Sequence, residues 1–440
     1  MHDQKVLIIG EVFVESYLDI IYQDTPLVRL GGIFHSARAF SALKIEYAMA
    51  YYAPTYLEED INYWTCILQG KGCYKLGNIE NAPNVMLINE SKETGKQSYT
   101  NILKDQAKYL DSNYLKNIIN LFKPTDILIY PGRYDFNLLA DTLKSFNGKI
   151  HIDFHYDYEV VFPVLNFPLK TAILSTSSIL FKENCKGSIV KIREHFKNHE
   201  VEFFLIKENR GGSYCQNTLT GKIHEAPAYT IDTMHSVGVG DVYNAIFISS
   251  LFINDIEKKM RLASLCAAKY AGTMSFERFK NDVELIINHF EDFANLEGVR
   301  LSWLECEEKN IYLAAPDFVN VDTSPLVKLY DSLSYHNFKP HLPIQENGIV
   351  TESTNFSEEK LIYYKDINLL NKCDLLIAVI LYNDPGTYIE LGMFKQAGKP
   401  TIIFDPFLIC SNMFAKHTPD FFCTTFDQVI NATYICLRRR

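Results

Sequence analysis

Residues 373–404 read CDLLIAVILYNDPGTYIELGMFKQAGKPTIIF. An apolar run of strand length, Leu375 to Leu381, ends in the polar turn Tyr382-Asn383-Asp384-Pro385-Gly386. A helical pattern starts at Thr387 and stops at Gly398, and a second apolar run begins at Thr401. Strand, loop, helix and strand in that order make the βαβ unit of a parallel sheet. Asp384 and Glu390 flank the loop at the carboxyl end of the first strand. That is the end at which open α/β sheets bind ligands.

Thr387-x-x-Glu390 can be read in two ways. As a capping box, Thr387 caps the helix and Glu390 reaches back to its backbone N–H. As chemistry, the helix N-terminus keeps a carboxylate ionised, and an ionised carboxylate is a nucleophile. The stretch alone leaves both open.

The chain has 440 residues, enough for two or three domains. It is 47% hydrophobic and 22% charged, the balance of an ordinary globular protein. A net charge of -10 argues against a nucleic-acid partner, whose binding face is usually basic. The ten cysteines show no C-x-x-C and no paired spacing, so neither a zinc site nor a disulfide framework is expected. Reduced thiols point to a cytoplasmic protein. No apolar run approaches the roughly 18 residues of a membrane span, so no membrane is expected as a partner.

Lys5 to Val14 reads as a buried strand with a turn near Gly10-Glu11. Arg29-Leu30-Gly31-Gly32 leads into a small-residue helix, IFHSARAFSALK. Glycine pairs allow close backbone approach to a ligand, or simply a tight turn. Further strands are expected at Ile45–Tyr52, Val85–Asn89, Asp126–Tyr130 and Lys149–Asp153, separated by helical patterns. That alternation predicts a wound parallel sheet. His151 and His155 flank Asp153, but positions i and i+4 of a strand lie far apart, so they read as edge-of-strand histidines and no metal site is expected.

Further on, HSVGVGD at 235–241 runs into VYNAIFISSLF. A glycine-rich turn opening a helix presents free N–H groups to an anion. An Asp at that helix start can accept a proton from a substrate hydroxyl.

Together, GGIFHSARAFSAL and GVGDVYNAIF resemble the ribokinase-like (PfkB) sugar and nucleoside kinases, over residues 1–296. The resemblance implies a Rossmann-like domain with Asp241 as catalytic base, Gly238 and Gly240 in the anion hole, and Gly31, Gly32 and Glu15 at the sugar site. Several positions depart from the family. Glu15 stands for an Asp, His35 for an Asn, and His235 for the Asp that opens the signature. Ser175 to Leu180 lacks the family's N-x-x-E, and Lys207-Glu208-Asn209-Arg210-Gly211-Gly212 takes the place of its T-x-G-x-x-G. Phosphoryl transfer rests on positioning and charge neutralisation. These replacements therefore favour a domain that binds a small molecule, or scaffolds its neighbour, over an active kinase.

Residues 297–308 read as a polar linker, and a fresh strand starts near Asn310. Ser324 to Tyr335 is helix-like, Pro343 to Gly348 reads as a loop, and a helix begins at Tyr364-Lys365-Asp366-Ile367. Here YLAAPDF, KDINLLNKCDLLIAVI, NDPGTYIELG and SNM, in that order, resemble the nucleoside 2-deoxyribosyltransferase family over residues 309–440. The resemblance implies Glu390 as the nucleophile on the anomeric carbon, with Tyr312 orienting it. Asp366 and Asp384 would hold or protonate the leaving base, or hold sugar hydroxyls. Asn412, Phe318 and Gly386 would contact substrate, Asn412 from a neighbouring subunit of a homo-oligomer. Bottom-up chemistry agrees: an oxocarbenium-like state needs a carboxylate to capture it and an acid to release the nitrogen. Taken singly, Asp366 also reads as a helix cap, Asp384 as a turn residue and Tyr312 as a core aromatic.

The expected architecture is α/β with two domains, a ribokinase-like Rossmann-type wound sheet and a smaller flavodoxin-like parallel sheet. The expected activity is cleavage of a nucleoside or nucleotide N-glycosidic bond, with transfer to another base or to water and no cofactor. The alternative is a kinase that uses Asp241, ATP and magnesium, with the second domain as a ligand sensor.

Overall fold

The computed structural model describes residues 4–22, 24–80, 83–96, 98–102, 111–154, 165, 167–197, 199–249, 251, 255–316, 321–351 and 353–439. The chain divides into two compact units, one of Met1–Lys92 with Ser98–Gly298, the other of Glu93–Gln97 with Val299–Arg440.

In the first unit a nine-stranded sheet is formed among the described residues. Its order is Ile223–Ala226, Ser213–Asn217, Val201–Lys207, Leu169–Ser175, Lys149–Asp153, Asp126–Ile129, Lys5–Glu11, Glu46–Ala53, Cys73–Asn78. The two pairings that end at Ile223–Ala226 are antiparallel; the others are parallel. Val6 to Ile9 are fully buried, as expected of a parallel strand covered on both faces. Four strands, Thr25–Leu30, Val14–Tyr22, Val85–Ile88 and Tyr99–Ile102, make a separate small sheet.

His151 corrects one expectation. Its strand is central, and the ring is buried, with Nδ1 3.0 Å from Thr171 Oγ1 and Nε2 3.3 Å from Asp126 Oδ1. His155 lies outside the described residues.

The second unit holds a five-stranded, all-parallel sheet in the order Lys339–His341, Asn310–Ala314, Leu375–Val379, Thr401–Phe404, Phe421–Cys423. Numbered along the chain this is 2-1-3-4-5. The order reverses direction between Asn310–Ala314 and Leu375–Val379, and such a switch point is where wound sheets open a crevice. Successive side chains alternate between faces. Ile311, Leu313, Leu375, Ile377 and Val379 pack with Leu326, Leu329, Val429 and Ile430. Tyr312, Ala314, Leu376 and Ala378 pack with Leu370, Leu391 and Phe394 from helices Phe356–Lys372 and Pro385–Gln396.

The segment read as a linker is a folded part of this unit. Val299, Leu301 and Cys306 are buried in its core, and a helix over Trp303–Glu307 is opened by a Ser302–Glu305 capping box. Pro343–Asn347 is a short helix rather than a loop. No helix among the described residues is long and apolar enough to cross a membrane.

Candidate active site

Helix Pro385–Gln396 starts two residues earlier than the Thr387 pattern suggests. Asp384 is its N-cap, with Oδ2 accepting from Thr387 N at 2.8 Å and from Thr387 Oγ1 at 2.9 Å. Pro385 supplies the preset φ of a first helical residue. The Thr387/Glu390 capping box is therefore replaced by the Asp384 cap. Glu390 sits in the second turn, and its carboxylate is turned to the sheet.

There Tyr312, from the strand at the switch point, donates a 2.6 Å hydrogen bond to Glu390 Oε1. Burial pushes the Glu390 carboxyl up to about 7, with help from the charges of Asp366 and Asp384 and against the pull of the Tyr312 bond. Desolvation thus opposes the ionisation expected of a carboxylate near a helix start. The Tyr312 phenol is driven far above its usual range by burial and by the adjacent carboxylate, so it stays protonated and donates.

Asp366 lies inside helix Phe356–Lys372, whose cap is Asn355, and is not a helix start. Burial raises its carboxyl as well, and Asn347 opposes that by donating from Nδ2 to Oδ1 at 2.7 Å. The structure thus brings Tyr312, Asp366, Asp384 and Glu390 into one electrostatic cluster. Asn347 belongs to it and was missed, because a five-residue helix shows no periodicity.

Gly386 is the exposed second residue of helix Pro385–Gln396, where a Cβ would stand 3.0 Å from Asp384 Oδ2. Asn412 is exposed and caps helix Met413–His417, accepting from Phe414 N and Ala415 N. Phe318 lies outside the described residues.

In the first unit, Glu15 is 2% exposed and fully engaged. It accepts from Tyr17 at 2.8 Å and from Arg29 Nε at 3.1 Å, and its Oε1 lies 2.7 Å from His35 Nε2. Burial pushes the Glu15 carboxyl up, but His35 and Arg29 outweigh it and hold the group well below the usual carboxylate range. Burial lowers His35 to about 4. The neutral ring then donates Nε2–H to Glu15 and accepts at Nδ1 from the Tyr270 hydroxyl, 2.7 Å away. A Cβ on Gly31 would fall 1.8 Å from Glu15 Oε1, and one on Gly238, whose φ is +73°, 2.1 Å from His35 Cγ. Gly32 adopts a φ of +62° against the Glu11 carbonyl. Gly31, Glu15, His35 and Gly238 are therefore brought together, but packed on one another.

His235 is buried between the carbonyls of Val237 and Thr273. Asp241 sits in the first turn of helix Val239–Ile248 and is buried. Beside that turn Lys207 Nζ lies 2.9 Å from Asp153 Oδ2, 3.0 Å from Asn244 Oδ1 and 3.4 Å from the Gly240 carbonyl. An ammonium already neutralising Asp153 does not suit a divalent cation at this place. Among the described residues no group of three or more His, Cys, Asp or Glu could hold a metal ion.

Residues 311–417 match the family model described as Nucleoside 2-deoxyribosyltransferase, a span that contains Tyr312, Asn347, Asp366, Asp384, Glu390 and Asn412. No curated protein matches the sequence. Among solved structures the chain is similar to a ribokinase from Giardia lamblia, 13% identical over 66% of this chain and 100% of that one, with a TM-score of 0.52. It is also similar to a ribokinase from Thermotoga maritima, 15% identical over 65% of this chain and 99% of that one, with a TM-score of 0.49. At such identity the likeness is one of fold. The chain thus carries a ribokinase-like fold in its N-terminal part and, at residues 311–417, a nucleoside 2-deoxyribosyltransferase domain.

Proposed function

We propose that the second unit cleaves the N-glycosidic bond of a nucleoside or nucleotide and passes the sugar to another base or to water. The observation that carries this is the Tyr312–Glu390 hydrogen bond at the sheet's switch point, with Asp366 and Asp384 close enough to act on Glu390. Tyr312 occupies Oε1 and leaves Oε2 to attack. As the bond from Oε2 to the anomeric carbon forms, the carbon–nitrogen bond breaks. Its electron pair goes to the base, which takes a proton from Asp366. A second base or a water then attacks the glycosyl ester, returning the carboxylate and, through Asp366, a proton. Both cap bonds of Asp384 fall on Oδ2, so Oδ1 is left for a sugar hydroxyl. The displacement draws on carboxyl groups alone and asks for no cofactor.

The acid surface expected of a chain at -10 supports a small-molecule substrate rather than a nucleic acid. Leu408, Met413 and Phe414 are 74%, 65% and 74% exposed beside Asn412, which supports a homo-oligomer covering this face. We read the first unit as a small-molecule-binding or regulatory unit rather than a working kinase. The closed contacts of Glu15, Arg29 and His35 at the expected sugar site, and Lys207 beside Gly240, support that reading.

The test is a panel of nucleosides, deoxynucleosides and mononucleotides incubated with the full chain, with and without a free base, and separated by chromatography. Release of base by the parent and its loss in Glu390→Ala are expected. No release from any substrate, or equal release by the variant, sinks the proposal. ATP consumption that appears with a sugar and vanishes in Asp241→Asn would favour the kinase instead.

A further inference from the structure

The acid that releases the base has its own partner. Asn347 ends the short helix Pro343–Asn347, and its Nδ2 donates to Asp366 Oδ1 at 2.7 Å. The helix carrying it is pinned at the sheet edge. His341 Nδ1 lies 2.8 Å from Glu346 Oε1, and His341 Nε2 lies 3.1 Å from Asn310 Oδ1, in the strand that also carries Tyr312. Asn347 is thus fixed by its neighbour Glu346 to the same strand that orients the nucleophile.

An amide N–H bound to one carboxyl oxygen decides where the proton of the acid can be. A proton on Oδ1 would clash with the Asn347 donor, so the neutral acid carries it on Oδ2. Resting on the glycosidic reading above, we propose that Asn347 is the positioning residue of the reaction: it holds Asp366 Oδ1 so that the proton is delivered from Oδ2 to the leaving base.

Among the described residues, four groups act on Asp366 or bond to it. Glu390 comes from helix Pro385–Gln396, Tyr312 from the strand, Asn347 from the short helix, and Lys365 from its own helix. Glu390 is acidic, and the Asn347 N–H and Lys365 are what favour the ionised form of Asp366. Removing the donor therefore shifts the point at which Asp366 gives up its proton, and with it the descending limb of the rate–pH profile, to higher pH.

The experiment compares two leaving groups in the full chain. An ordinary purine nucleoside needs its base protonated as it leaves. An N7-alkylated purine nucleoside does not, because its base is already cationic and departs neutral. In Asn347→Ala the rate on the ordinary nucleoside should fall by roughly tenfold or more, the lower part of what general acid catalysis supplies. The rate on the alkylated one should change by less than about threefold, and the descending limb on the ordinary nucleoside should move to higher pH. Asn347→Asp, nearly isosteric and lacking the donor, should show the same split with a larger upward movement of the limb. Equal losses on both substrates, or an unmoved limb, overturn the assignment and leave the glycosidic reading standing. If the parent releases base from neither substrate, the glycosidic reading fails and the assignment falls with it.

Discussion

Tyr312 and Glu390 are 78 positions apart in the chain and 2.6 Å apart in space, phenol to carboxylate. The strand that carries Tyr312 buries alternate side chains on the face covered by the helix that carries Glu390, so the pair is fixed by the sheet and not by a loop. Replacing Tyr312 by Phe keeps the packing and removes the donor. A hydrogen bond to a charged group contributes about 1.5–3 kcal/mol, so base release at pH 7 should fall by roughly 10- to 100-fold. Because the bond also holds the Glu390 carboxyl down, part of the loss should return above pH 8. A rate–pH profile for parent and variant checks both; an unchanged acid limb would remove Tyr312 from the assignment.

The titration of Glu390 itself sets the acid limb. In the proposed reaction only its carboxylate attacks, and burial places its pKa at about 7. The ascending limb of base release should therefore follow Glu390, the ionised fraction growing about tenfold per unit well below pH 7, and the descending limb should follow the loss of the Asp366 proton. A profile flat from pH 5 to 8 would exclude Glu390 as the ionising nucleophile.

The same burial has a sign in stability. The unfolded carboxyl ionises near its ordinary value of 4.5, while the folded one holds its proton to about 7. Between those pH values the unfolded chain gains relative to the folded one, and above 7 the penalty stays constant. Glu390→Gln removes an ionisable group that the fold disfavours as a charge. At pH 8 it should stabilise the second unit by about 1–3 kcal/mol, and at pH 4 it should make little difference. Denaturant unfolding at the two pH values measures this. Equal effects at both would assign the change to packing.

How far the sequence could be read follows from the range of each signal. The strands at 5–11, 46–53, 126–129 and 149–153 are apolar runs, legible because parallel strands are buried on both sides. Helix Phe356–Lys372 was read eight residues short, since its first two turns are exposed and carry no apolar stripe. Thr387-x-x-Glu390 matches a capping box letter for letter, yet Asp384 before Pro385 wins the cap because Pro is preorganised for the first helical position. Position in the second turn, and not an absence of function, is what frees Glu390 for Tyr312. The bonds Glu15–His35 and Asn347–Asp366 join different elements, so no local pattern announces them.

Substitution can separate the cap that Asp384 forms from the sugar contact proposed for it. Asn is as good an N-cap as Asp, whereas Ala costs about 1 kcal/mol. Asp384→Asn should leave the unfolding midpoint of the second unit unchanged, and Asp384→Ala should lower it. If Asp384 also holds a sugar hydroxyl, both variants should raise KM for the nucleoside, Asn less than Ala. A KM that follows stability alone, normal in Asn and raised in Ala, would reduce Asp384 to a cap.

The first unit holds a buried ion pair between Arg29 and Glu15. Arg29 lies over the Tyr17 ring, 4.9 Å from its centre, and its charge is matched by Glu15, itself nearly inaccessible. Glu15→Ala leaves a guanidinium without its carboxylate in a closed space, a change that costs about 3–5 kcal/mol for a buried pair. Thermal unfolding of the first unit should shift down accordingly. Glu15→Gln keeps the shape and the acceptor toward Arg29 but not the charge, so it should fall between parent and Ala. A ligand site would behave differently: if Glu15 were held ready for a sugar, the Ala variant would lose sugar binding while keeping its midpoint. The closure of Tyr17, Arg29 and His35 on one carboxylate predicts the opposite, a midpoint that drops and no sugar binding in either protein.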